Sequence, residues 1–202
     1  KFREYILAEA DIDKDKILTV SERKAVTHIN IRSKEISDIK GIEYFENLKI
    51  LNMSNNNVSG IDLSANVKVT HINAADNRIS EINLKGLTEL KGINISGNRL
   101  KDSIALSEYK KLTYLNVADN MLTVLDVSEN EVLSDIDCSY NDIIVLKLPE
   151  ASTRVICNNN NLYSFDIDKL ISLKELNISY NHLGAFSVPE NVPLTDITIE
   201  GN

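Results

Sequence analysis

Residues 48–58 read LKILNMSNNNV, and the phrase returns in phase along the chain. It recurs as VTHINAADNRI from Val69, LKGINISGNRL from Leu90, LTYLNVADNML from Leu112 and LSDIDCSYNDI from Leu133. STRVICNNNNL from Ser152, LKELNISYNHL from Leu173 and LTDITIEGN from Leu194 complete the series. The template is L-x-x-L-x-L-x-x-N-x-L. Its ninth position holds Asn56, Asn77, Asn98, Asn120, Asn141, Asn160, Asn181 and Asn202, mostly 21 residues apart. A weaker copy, VTHINIRSKEI from Val26, precedes them with Lys34 in the asparagine place. Positions 4 and 6 flank position 5, so a short strand turns both inward and leaves position 5 facing out. The chain must then turn sharply, leaving backbone groups without a ladder partner. The position-9 amide supplies a donor and an acceptor to that turn. These asparagines read as structural parts.

The template resembles the leucine-rich repeat, and a self-similar period of this length marks a solenoid. The expected fold is a right-handed curved rod with a parallel β-sheet on its concave face and a mostly non-helical convex side. Eight coils at ~4.8 Å per strand predict a rod roughly 40 Å long. Ile61-Asp62-Leu63, Ile82-Asn83-Leu84, Leu125-Asp126-Val127, Leu146-Lys147-Leu148, Phe165-Asp166-Ile167 and Phe186-Ser187-Val188 alternate as extended chain on the convex side. Single turns are expected at Leu106–Lys110 and Asp168–Ile171. The predicted division is a small helical cap over residues 1–25 and a repeat domain over 26–202, its last repeat incomplete. At the far end, two expectations stand: the repeat was cut short there, or the last strand is blunted by its own Thr195, Asp196, Thr198 and Glu200.

Composition excludes several functions. The 202 residues carry 22 basic and 30 acidic side chains, a net −8, where phosphate-backbone binding needs a basic surface. The imbalance is local: residues 1–50 hold ten of each sign, so the whole excess falls in 51–202. The longest purely hydrophobic runs, Tyr5–Ala8 and Ile143–Leu146, are four residues long, so membrane insertion is not expected. Tryptophan is absent and aromatics are 5%, poor for stacking sugars or bases. The chain opens on Lys1 without an apolar signal core, a start that reads as processed or trimmed.

Residues 11–22, DIDKDKILTVSE, follow the spacing of a calcium loop. Asp11, Asp13 and Asp15 take loop positions 1, 3 and 5. Ile17 offers its carbonyl at 7, Thr19 stands at 9 and Glu22 at the bidentate position 12. Lys16 occupies the place where glycine normally makes a left-handed turn, at a cost of about 1 kcal/mol. Two readings follow: a helical EF-hand-like cap holding one structural Ca²⁺, or a metal-free cap with a solvated acidic turn. No cofactor is required by either.

Val26–Ile61, VTHINIRSKEISDIKGIEYFENLKILNMSNNNVSGI, resembles the start of internalin-type repeat domains of bacterial surface proteins. Ile36, Ile39, Gly41, Ile42, Glu43 and Tyr44 match their I-x-x-I-x-G-I-E-Y entry phrase. The resemblance implies a secreted or surface-attached recognition module that uses its concave sheet, with a cap similar to a truncated EF-hand. Coils of 21 rather than 22 residues and the Leu-Asp-Leu-like convex phrase depart from the pattern, so no particular host receptor is carried over.

The expected binding surface gathers toward the C-terminal half. Tyr114, Asp135, Arg154 and Glu175 share position 3, Asp137 takes position 5, and Tyr140 and Tyr180 take position 8. Tyrosine and arginine are the usual interface anchors, and the acids favour a basic partner patch. The position-5 asparagines are expected to form a ladder of amides bonded to one another. Cys138 and Cys157 share inward position 6 and read as buried free thiols. No catalytic constellation emerges; His28 and His71 lie two coils apart, too far to share a metal. The expected function is non-catalytic recognition of a protein, host or bacterial, by a monomer. The alternatives are a structural spacer and a glycan-binding module.

Overall fold

The computed structural model describes all residues, Lys1–Asn202, as two compact units, Lys1–Asn98 and Arg99–Asn202. The first begins with helix α1 (Phe2–Ala10), which buries Phe2 and Ile6. Helix α2 (Val20–Ala25) starts at a capping box in which the Thr19 hydroxyl accepts from the Glu22 N–H while the Glu22 carboxylate accepts from the Thr19 N–H. The Tyr5 hydroxyl donates to the Asn30 carbonyl at 2.7 Å and Asn47 Nδ2 to the Lys24 carbonyl at 2.7 Å, tying the helices to the first coils.

Four parallel strands follow in register: β1 (His28–Asn30), β2 (Ile50–Asn52), β4 (His71–Asn73) and β6 (Gly92–Asn94). Between them, β3 (Gly60–Asp62) and β5 (Glu81–Asn83) pair in parallel on the return side. The core is built from the template positions. Leu48, Leu51, Met53, Val69, Ile72, Leu90, Ile93 and Ile95 are all buried.

The second unit repeats the plan. Strands β8 (Tyr114–Asn116), β10 (Asp135–Asp137), β12 (Arg154–Ile156), β13 (Glu175–Asn177) and β14 (Asp196–Thr198) pair in parallel. On the return side β7 (Lys101–Ser103), β9 (Met121–Asp126) and β11 (Val145–Lys147) form a second small sheet. The expected extended phrases appear at 61–62, 82–83, 125–126 and 146–147, while residues 165–167 and 186–188 are irregular. The turns near Leu106 and Asp168 close as paired three-residue steps: Tyr109 N–H to Leu106, then Leu112 to Tyr109, and Leu170 to Ile167, then Leu173 to Leu170. No helix forms there.

Every position-9 asparagine ties two coils together. Asn141 Nδ2 donates to the Cys138 and Ser139 carbonyls of its own turn and to the Val117 carbonyl of the coil before, while its Oδ1 accepts the Leu122 N–H at 2.9 Å. Asn56, Asn77, Asn98, Asn160 and Asn181 repeat the pattern. On the return side two fully buried asparagines do the corresponding work: Asn66 Nδ2 donates to Ile42 and Phe45, and Asn130 Nδ2 to Leu106 and Tyr109.

Candidate functional site

In the second unit, register alone stacks the position-3 side chains: Tyr114, Asp135, Arg154, Glu175 and Asp196 stand opposite one another across successive strands. Arg154 bridges its two neighbours. Its Nη1 lies 3.0 Å from Asp135 Oδ1 and its Nε 3.2 Å from Glu175 Oε2, with all three side chains 39–45% exposed. Its charge is therefore shared inside the row rather than free. Asp137 and exposed Asp119 and Asp196 stand on the same side, so the row is net acidic.

The expectation of an amide ladder at position 5 is corrected by the structure. Asn52 Oδ1 accepts the Ser54 N–H and hydroxyl, Asn94 accepts both from Ser96, and Asn177 both from Ser179. Asp137 does the same with Ser139. A side chain two residues before a turn finds that turn's N–H at once, so this local bond wins over an amide one coil away.

Position 8 carries a property that the template reading missed. Ser33, Asn55, Asp76, Gly97, Asp119, Tyr140, Asn159, Tyr180 and Gly201 all have positive φ, between 52° and 73°. The signal was legible: asparagine, aspartate and glycine, which tolerate this left-handed conformation, fill most of the column. Ser33, Tyr140 and Tyr180 are the exceptions, and only the two tyrosines are bulky. Both tyrosines hold φ 52° and are 58% and 53% exposed. Tyr180 lies against the Gly201 backbone, so closely that a Cβ there would meet its ring at 2.6 Å, and its hydroxyl reaches Glu200 Oε1 at 3.3 Å. Tyr114 is half-buried on its strand. The structure thus places Tyr114, Arg154, Asp135, Asp137 and Glu175 on the strands and Tyr140 and Tyr180 at the corners that follow them.

In the cap loop, Asp11, Asp13 and Asp15 converge, one carboxylate oxygen of each within 4.8 Å of the others. Asp11 Oδ1 is buried without a hydrogen-bond partner, while its Oδ2 accepts the Lys16 N–H at 2.8 Å. Asp13 accepts the Asp15 N–H, which works to lower its pKa, but burial and the Asp15 and Glu22 carboxylates outweigh that bond and raise it. Glu22 does not join the group. Its Oε1 accepts the Ile12 N–H at 2.7 Å, and its Oε2 takes the Thr19 N–H and hydroxyl at 2.8 and 2.7 Å. The Thr19 bonds, then that from Ile12, hold the Glu22 carboxyl below its ordinary range. Thr19 is itself engaged as the helix cap, and Ile17 donates its N–H to Asp15 Oδ1 at 2.7 Å. Lys16 holds φ 67°, the left-handed turn that its place in the loop demands.

Residues 24–130, just over half of the chain, match the family model described as the Endo-beta-N-acetylglucosaminidase EndoS LRR domain. The chain belongs to this EndoS LRR family. Residues 169–185 of the LRR domain also match a Leucine Rich repeat model. Its fold is that of internalins from Listeria monocytogenes. The functional domain of InlJ, described as including a cysteine ladder, is 29% identical with a TM-score of 0.85 over 91% of this chain and 41% of that one. The LRR domain therefore spans about two fifths of that structure. Internalin C2 is 19% identical with a TM-score of 0.81, covering 98% of this chain and 92% of that one. Internalin F is 20% identical at 0.55, covering 99% and 81%. No curated protein is matched. The LRR domain is thus an internalin-like, bacterial-type leucine-rich-repeat solenoid with a small helical N-terminus.

Cys138 and Cys157 of the LRR domain are free and fully buried on neighbouring coils. Burial pushes both thiols well up, with Cys157 and then Asp137 adding to the shift at Cys138. His28 and His71 bond the hydroxyls of the threonines before them, and His182 stacks 5.3 Å from the Tyr163 ring. No helix is long and apolar enough to cross a membrane.

Proposed function

We propose that this LRR domain is a non-catalytic recognition module, secreted or displayed on a cell surface, that binds a protein partner bearing a cationic patch. The binding face is the outer side of the strands between Tyr114 and Thr198 with the corners that follow them. The observation that carries this reading is the pair of tyrosines at left-handed corners. A bulky side chain there costs about 1 kcal/mol relative to residues that tolerate the conformation, and such strain concentrates at functional positions. Both rings point their area to solvent, where tyrosine is the preferred interface anchor. The acids around Arg154 give the face its sign, and charge of one sign steers an opposite patch. Internalin-like relatives and general use of repeat surfaces for protein partners support the same reading.

The test is capture of extracellular proteins on immobilised LRR domain beside a Tyr114/Tyr140/Tyr180→Ala variant shown to be folded. A partner lost by the variant and weakened by salt is the expected result. Equal capture by both proteins would reject the face and favour a spacer.

We also propose that the cap loop holds one Ca²⁺ through Asp11, Asp13 and Asp15, leaving Glu22 to cap its helix. The buried, unpartnered Asp11 Oδ1 and the converging carboxylates support the fit. When bound, the ion would supply charge neutralisation within the cap and no chemistry at the strand face. Millimolar Ca²⁺ is expected to raise the melting temperature over chelator in the wild type but not in Asp13→Asn. An unchanged wild-type melting temperature would refute the site.

A further inference from the structure

A second surface, in the cap, has the opposite chemistry to the strand face. Between α1, the 16–18 segment and the turn at Gly41–Phe45 lies a cleft of about 330 Å³, within the range of small-molecule pockets. Buried Phe2, Ile6 and Phe45 form its floor with Leu18, and the exposed side chains of Ile17 (64%) and Tyr44 (59%) stand at its mouth. Exposed apolar groups standing over a buried apolar floor in one cleft are the first sign of a ligand.

Charge is the second sign. Arg3, Lys16, Arg23 and Lys40 line the same cleft, and no carboxylate does, in a chain with eight more acids than bases. None of the four forms an ion pair. The half-buried Arg23 guanidinium instead sits 5.5 Å over the Tyr44 ring, held at the rim by the ring's negative face. Lys16 occupies its place at φ 67°, where glycine would adopt the turn without strain but would bring no charge to the cleft.

We propose that this cleft binds a small anionic amphiphile: an aliphatic or aromatic body on the Phe2, Ile6 and Phe45 floor, and a carboxylate or sulfonate among the Arg3, Lys16, Arg23 and Lys40 side chains. The site is separate from the strand face and does not depend on it.

Octanoate, octanol and octylammonium share one tail and differ only in the head. Titrated into the intact protein and followed through the Ile17 methyl and Tyr44 ring resonances, octanoate is expected to saturate first and octylammonium last. The Arg23→Gln/Lys16→Gly variant, in which the glycine relieves the strained turn, is expected to weaken octanoate by up to about tenfold and leave octanol unchanged. Equal binding of all three heads would overturn the anionic assignment, as would an octanoate affinity that the variant does not change. Absence of saturable shifts at Ile17 and Tyr44, or saturation by an acidic peptide but not by octanoate, would overturn the small-amphiphile assignment itself.

Discussion

The two halves of the repeat differ at the same two template positions. In residues 1–98, position 3 holds His28, Ile50, His71 and Gly92, and the left-handed corner holds Ser33, Asn55, Asp76 and Gly97. In residues 99–202, position 3 holds Tyr114, Asp135, Arg154, Glu175 and Asp196, and the corner holds Asp119, Tyr140, Asn159, Tyr180 and Gly201. The first half places small or turn-tolerant residues at every corner. The second departs twice, both times with a large exposed aromatic, beside a charged row. Backbone and core are alike in the two halves, so the shared scaffold does not by itself call for the two tyrosines, and the proposed recognition face accounts for them.

The sharpest test that the halves share one scaffold is Asn141→Ala in the second and Asn77→Ala in the first. Each removes donors to several carbonyls and the acceptor of a neighbouring N–H. Buried groups left unsatisfied cost about 1–3 kcal/mol each, so a loss of at least ~3 kcal/mol by urea denaturation is expected in both. A large loss in one half alone would break the comparison.

The corner exchange has a smaller effect and separates the halves. Tyr140→Asn is expected to raise stability by up to about 1 kcal/mol, and Asn55→Tyr to lower it by a similar amount. Tyr180→Asn should gain less, because it gives up the contacts with Gly201 and Glu200. Both tyrosine variants should weaken partner capture while melting no lower than the wild type. A clear drop in melting temperature for Tyr140→Asn would show that the ring is structural.

The smallest expected effect lies in the cap, where charge rather than shape is tested. Glu22 ionises below its ordinary value of 4.5 because Thr19 and Ile12 bond its carboxylate. The ionised form therefore favours the folded cap above the unfolded value, and that contribution is lost as pH falls through the lower folded one. Glu22→Gln should be less stable than wild type at neutral pH, with the gap closing on acidification below about pH 4.5. A gap that persists unchanged at low pH would assign the effect to packing alone.

Much of this was legible in the residues. The inward positions 4 and 6, the asparagine at position 9 and the extended return phrases follow from a period that repeats the same local chemistry eight times. The acidic aromatic row was also legible, because position within the period fixes which side chains share a face. The left-handed corner was written in the Asn, Asp and Gly of position 8 but not read there, since its two tyrosines break the pattern. Asn66 and Asn130 were hidden because their role depends on a turn in the coil before them.

The repeating pattern was enough to specify the solenoid, its core and its register, because each coil needs only its own pattern and a copy of itself to stack upon. Tertiary structure decided where individual polar groups found partners. Position-5 asparagines turned to the N–H groups two residues further on, Glu22 to its helix cap rather than the aspartates, and Arg154 to carboxylates about twenty residues away on either side. It also decided that four cations would meet around one apolar cleft in an acidic chain. The physical reason is the same in each case. Periodicity says which way a side chain points, whereas its bonds depend on which groups the coils bring within 3 Å, and that distance exists only once they have stacked.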